Sequence, residues 1–144
     1  MKIYQLAVIA ALAAGFLVVA LVVLSDGKID IPGLSQNMAE VKFNIERGSL
    51  GDGITILEVS TYSGLEMVSM APLWFDAPFR VEATATYNGQ IVGQAIKIVN
   101  VDWWGNKQDF VRLAIGENPH NVVILLKLVN DYGELRDTDT YTIP

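Results

Sequence analysis

The chain has 144 residues, enough for one domain and an additional segment. Hydrophobic residues make up 51% of it, mean hydropathy is +0.35 and the formal net charge is −6. The absence of cysteine excludes disulfides, thiolate metal sites and thiol catalysis, and an acidic balance without a basic cluster argues against nucleic-acid binding, which needs Lys and Arg on one face.

The apolar excess lies at the start. Ile3 to Leu24 read IYQLAVIAALAAGFLVVALVVL, with Gln5 the only strongly polar side chain. As a helix rising about 1.5 Å per residue this run spans roughly 33 Å, enough for the hydrocarbon core of a bilayer. Ser25-Asp26-Gly27 ends it, Gly27 supplying a left-handed stop, and Ile31-Pro32-Gly33 prevents the helix from resuming. Lys2 precedes the run, and every Asp and Glu follows it. From Asp26 onward nine basic residues face sixteen acidic ones, a formal charge of −7. This asymmetry predicts an N-in, C-out orientation and argues against docking on anionic lipid.

Three readings of the segment stay open. It is a cleaved secretory signal with a small-x-small site at Ala11-Leu12-Ala13, a permanent membrane anchor, or a helix that leaves the membrane to pack with copies of itself. In the last case Gln5, Ala7, Ala10, Ala11, Ala14, Gly15 and Phe16 are the candidate packing residues, the small ones allowing close helix approach. The expected division is 1–25 apolar helix, 26–38 linker (a stiff connector or a strand donated to a neighbour) and 39–144 β-sandwich.

From Ala39 the pattern changes to period two. Glu40 to Glu46 places Val41, Phe43 and Ile45 on one face, and Ser49-Leu50-Gly51-Asp52-Gly53 reads as a turn. Ile54 to Tyr62 is a strand rich in β-branched residues, followed by an irregular stretch from Ser63 to Ala77. Phe79 to Tyr87 alternates cleanly, and Asn88-Gly89 predicts a type I′ hairpin turn because both positions need positive φ. Gln90 to Asn100 returns, with a slip near Gly93 that suggests a bulge. Asp109 to Ile115 follows, then the nearly continuous apolar run Asn121 to Asn130, expected to be central in its sheet. Asp131-Tyr132-Gly133-Glu134 turns the chain into Asp137 to Ile143, with Tyr141 and Ile143 inward.

About seven strands after one long apolar helix predict a mainly β protein, an immunoglobulin-like antiparallel β-sandwich behind an N-terminal α-helix. This plan resembles the type IV pilins, and more closely archaeal pilins and archaellum stator proteins. Met1 and Gln5 stand where bacterial pilins carry a hydrophobic first residue and a glutamate, and no mid-helix proline is present. The resemblance implies a cell-surface, homo-oligomeric filament subunit, a pilus protein that passes through the membrane before assembly. The alternative is a single-pass anchor of the plasma membrane with an extracytoplasmic binding domain.

No catalytic constellation, cofactor or metal is expected. His120, the one histidine, sits in the turn Asn118-Pro119-His120-Asn121 without an evident nucleophile. Asp131, Glu134, Asp137 and Asp139 cluster, but their spacing does not match a calcium loop, and alternate acids on an edge strand discourage edge pairing. Trp103-Trp104 and Trp74-Phe75 are the candidate interface residues. On a strand, adjacent tryptophans point to opposite faces, so one ring is expected in the core and the other in solvent.

Overall fold

The alternating stretch around Val41, Phe43 and Ile45 forms the middle of a sheet. In a computed structural model, which describes residues 34–65 and 78–144, it belongs to β1 (Gln36–Gly48), flanked on both sides by antiparallel neighbours. β1 begins three residues inside the stretch read as a linker, and Gln36 and Met38 pair with Gly64 and Tyr62 of the same chain. Residues 1–33, which hold the apolar segment 1–25 and with it Gln5, Ala7, Ala10, Ala11, Ala14, Gly15 and Phe16, lie outside the described residues, as do Trp74 and Phe75.

The remaining strands are β2 (Gly51–Gly64), β3 (Phe79–Tyr87), β4 (Gln90–Val99), β5 (Asn106–Ala114), β6 (Val123–Asn130) and β7 (Leu135–Thr142). They make two antiparallel sheets, one ordered β2-β1-β5 and the other β4-β3-β6-β7. The protein is thus mainly β among the described residues. The apolar run before Asn130 lies inside its sheet, between β3 and β7.

Alternation decides what is buried. Val41, Phe43 and Ile45 of β1 and Val111 and Leu113 of β5 face Val81, Ala83 and Ala85 of β3 and Ile124, Leu126 and Leu128 of β6, all at most 4% exposed. Ile143 joins this core, whereas Tyr141, two residues past the last acid bonded to β2, stays 37% exposed. Asn88 and Gly89 both take positive φ, as a type I′ turn requires. The slip near Gly93 is a bulge: Ala85 pairs with Gly93 and Thr86 with Ile91, leaving Val92 extra.

The register fixes two ends. The chain enters β1 at Gln36 beside Gly64, Ala114 and the loop 115–122. At the opposite end lie the β1–β2 turn, the β4–β5 loop and the β6–β7 turn. A strand of thirteen residues at about 3.3 Å each separates the two ends by roughly 40 Å.

Both margins of the sandwich are closed. At the β4/β5 margin Gly93 lies against β5 so closely that a Cβ added there would overlap the carbonyl oxygen of Ala114. Gly116, at φ 84°, brings the following turn against Val92. At the β2/β7 margin the closure is made by side chains. Asp137 Oδ2 accepts from the Ile54 amide at 2.8 Å, Asp139 Oδ2 from the Ile56 amide at 2.7 Å, and Arg136 pairs with Asp52 at 3.1 Å. The alternate acids of β7 therefore occupy two outward amides of β2, those of Ile54 and Ile56, instead of merely repelling an added strand.

Candidate functional site

The candidate site is the end of the sandwich far from Gln36. It is built on Arg47, the next-to-last residue of β1. The Arg47 amide donates to Gly105 O at 2.9 Å, and its Nη1 donates to Val101 O at 2.9 Å. The guanidinium lies 3.8 Å from the centre of the Trp103 ring and 5.6 Å from that of Phe79. One residue, through its amide and its side chain, thus ties the start of β3 and both halves of the β4–β5 loop to the central strand. The loop is also bound to itself, Gly105 N donating to Asp102 O at 3.1 Å.

This arrangement corrects the expectation for the two tryptophans. Trp103 and Trp104 lie in a turn, not on a strand, and neither enters the core: they are 71% and 66% exposed. Their ring centres are 6.4 Å apart and tilted by 44°. The alternation rule fails here because Asp102 and Gly105 bracket the pair and close a turn, Gly105 being the signal that marks a loop in the sequence. Trp104 takes φ 60°, a left-handed conformation that costs a bulky side chain about 1–2 kcal/mol.

Between this loop and the β1–β2 turn lies a shallow cleft of about 350 Å³. It is lined by Glu46, Arg47, Gly48, Ser49, Leu50 and Gly51 on one side and Trp104, Gly105 and Asn106 on the other. Leu50 is fully exposed at its rim. Tyr132 and Leu135, also exposed, stand at the same end on the β6–β7 turn and the start of β7. The sequence pointed to Trp103 and Trp104. It did not reveal Arg47, Glu46 or Asn106, whose partners lie more than fifty residues away across the sheet, nor Leu50, which reads only as a turn residue.

The other candidates sit elsewhere. His120 is exposed in the turn before β6, near the Gln36 end, with Nδ1 3.0 Å from Pro144 O and its amide donating to Asn118 Oδ1 at 3.2 Å. The four C-terminal acids are not gathered, since Asp137 and Asp139 turn to β2 while Glu134 approaches Arg136 at 4.0 Å. Among the described residues no three His, Asp or Glu side chains are placed to hold a metal ion.

A polar cluster on the outer face of the β2-β1-β5 sheet has a structural reading. Glu40, 7% exposed, pairs with Arg112 at 2.9 Å, and Arg112 also lies 4.7 Å from the Phe110 ring centre. Nearby Tyr62 has its phenol raised above the ordinary 10.0, chiefly by burial. Arg112 lowers it and Glu40 raises it. Comparisons with known protein families, with characterised proteins and with solved structures find no match.

Proposed function

We propose that this chain is a structural subunit of an extracellular filament. Segment 1–25 packs with copies of itself in the filament core, and an immunoglobulin-like sandwich stands outside. The observation that carries the reading is the closure of both sandwich margins. With β2 capped by Asp137 and Asp139 and β4 pressed on β5, the heads offer little open edge on which to add a neighbour's strand. The heads are also acidic and repel one another. Assembly must then be driven by the apolar segment, where each large side chain removed from water contributes about 1.5–3 kcal/mol.

The placement of β1 agrees with such a role. The apolar segment leads into the central strand of its sheet, bonded along both sides. Tension between the segment and the far end loads those hydrogen bonds together in shear instead of one at a time. The order β4-β3-β6-β7 is that of a C′-C-F-G sheet and supports the immunoglobulin-like assignment. The three-stranded sheet departs from that order, with the first strand, not the second, in the middle.

A second reading is a single-pass plasma-membrane anchor carrying an extracytoplasmic binding domain, such as a stator. It is favoured by the acidic surface and by an exposed aromatic end roughly 40 Å from the point where the apolar segment joins β1. Electron microscopy of material sheared from cells, with mass spectrometry of its components, separates the two. Lipid-free filaments containing the intact apolar segment are expected for the first reading. Recovery in the membrane fraction alone rules it out in favour of the second.

A further inference from the structure

We propose that the cleft between the β1–β2 turn and the Trp103-Trp104 loop binds a neutral glycan, which stacks on Trp104 and donates hydroxyl hydrogens to Glu46. Four observations lead to this assignment, and none depends on whether the chain forms filaments.

The first is that the indoles are displayed at a cost. Trp104 is held in the left-handed region while two-thirds exposed, so neither packing nor an easy backbone explains its presence. Asn88 and Asn121, which also have positive φ, are residues that tolerate it. A strained, exposed tryptophan in a tightly bonded loop is the state of a pre-organised contact residue.

The second is that the loop carrying Trp104 is held in place, with the Trp103 ring fixed 6.4 Å from that of Trp104. Arg47 stacks 3.8 Å from the Trp103 centre and is itself fixed to Val101 O, while the loop is bonded to β1 through Gly105. A ligand that stacks here orders little that is not already ordered.

The third is the charge at this end. Glu46, Asp52, Asp102, Asp131 and Glu134 surround it. Of the bases there, Arg47 is engaged as described and Arg136 pairs with Asp52 and Glu134, leaving Lys107. Glu46 and Asp102 make no ion pair among the described residues. Phosphates, anionic lipids, acidic sugars and the same acidic end of a second copy are all disfavoured. A cation finds the exposed carboxylates, but Arg47 already occupies a face of Trp103 and lines the cleft.

The fourth is the hydrogen-bonding polarity of the cleft. An ionised carboxylate only accepts, so Glu46 calls for a ligand rich in donors. Proline-rich peptides, which also dock on exposed tryptophans, lack N–H groups at proline and fit poorly. Sugar hydroxyls donate and accept. They match Glu46, Ser49 and Asn106, while the C–H face of a pyranose lies on the indole. The shallow, open shape suits a chain of sugars that runs past the cleft more than a small molecule enclosed within it.

The test is saturation-transfer NMR on the full chain in a polyoxyethylene detergent, which avoids sugar-headed detergents. Maltohexaose, cellohexaose and mannohexaose are the probes, with sialyllactose, choline and a proline-rich peptide alongside. At least one neutral hexaose is expected to receive saturation. Trp104→Ala should weaken its binding about tenfold or more, and Glu46→Gln by roughly threefold to tenfold, with the circular dichroism of the β domain unchanged. The proposal is overturned if no neutral hexaose binds, if Trp104→Ala leaves binding intact, or if only the anionic, cationic or peptide probe binds. It is equally overturned if Trp104→Ala changes only the self-association of the chain, which would assign this end to a second copy.

Discussion

The two margins of the sandwich are closed by opposite means. At β4/β5 the backbones touch where Gly93 leaves no room for a side chain, and Lys97 adds an ion pair to Asp109 at 3.7 Å beside that contact. At β2/β7 the sheets stand further apart and two carboxylates reach across to amides that would otherwise lie open. The first margin is chiefly a steric device: intolerant of any added atom at Gly93, with one partly exposed ion pair that adds little. The second is a polar device: each acceptor contributes separately and can be removed one at a time. A closed sandwich therefore does not require one kind of closure, and the two kinds should fail differently.

The largest expected effect is at the steric margin. Gly93→Ala forces Cβ against the Ala114 carbonyl, so β4 and β5 must part; a loss of about 3 kcal/mol is expected in urea unfolding. At the polar margin, Asp137→Ala or Asp139→Ala should each cost about 1–2 kcal/mol, because the orphaned amide of Ile54 or Ile56 recovers water in place of a charge-assisted bond. Hydrogen exchange at those two amides should accelerate far more than exchange in the core strands. Equal losses from Gly93→Ala and Asp137→Ala, or unchanged exchange at Ile54, would break the distinction.

A smaller effect, of opposite sign, is expected at the aromatic end. Trp104→Asn places a residue that tolerates φ 60° in the turn and should raise stability by about 0.5–1 kcal/mol in the same unfolding assay. A loss instead would mean that the indole contributes packing which its exposure does not suggest. The smallest effect concerns alkali. Tyr62 titrates above 10.0 in the folded chain, so between the unfolded and folded values the folded state holds a proton that the unfolded state has released. That contribution is complete below pH 10 and is lost as pH rises through the folded value. Tyr62→Phe should flatten this part of the pH profile of unfolding, while neither margin takes part in it.

Local patterns carried much of the fold in readable form. Val41, Phe43 and Ile45 announce a half-buried strand by period alone, and Asn88-Gly89 announces its hairpin because few residue pairs take two positive φ angles. The bulge by Gly93 shows as a slip in alternation. The margins were not readable. Asp137 and Ile54 are 83 residues apart, and nothing in either neighbourhood names the other. Gly93 reads as a bulge glycine, and its second duty against Ala114 appears only when the sheets are placed together. At the aromatic end the residue types stood out, but their placement did not. The strand rule does not hold at Trp103-Trp104 because Gly105 closes a turn there, and Arg47 gives no sign of its stack because Trp103 lies 56 positions further on.

Both closures bear on how the chain assembles, since heads with little open edge leave the work to segment 1–25. The most direct test replaces Ala14 with lysine and examines sheared surface material by electron microscopy, with amide exchange at Ile54 and Ile56 confirming that the sandwich is intact. The account predicts filaments from the unaltered chain and none from Ala14→Lys, with the sandwich equally protected in both. Normal filaments from Ala14→Lys would contradict it, and would mean that the heads hold one another by a surface other than the two closed margins.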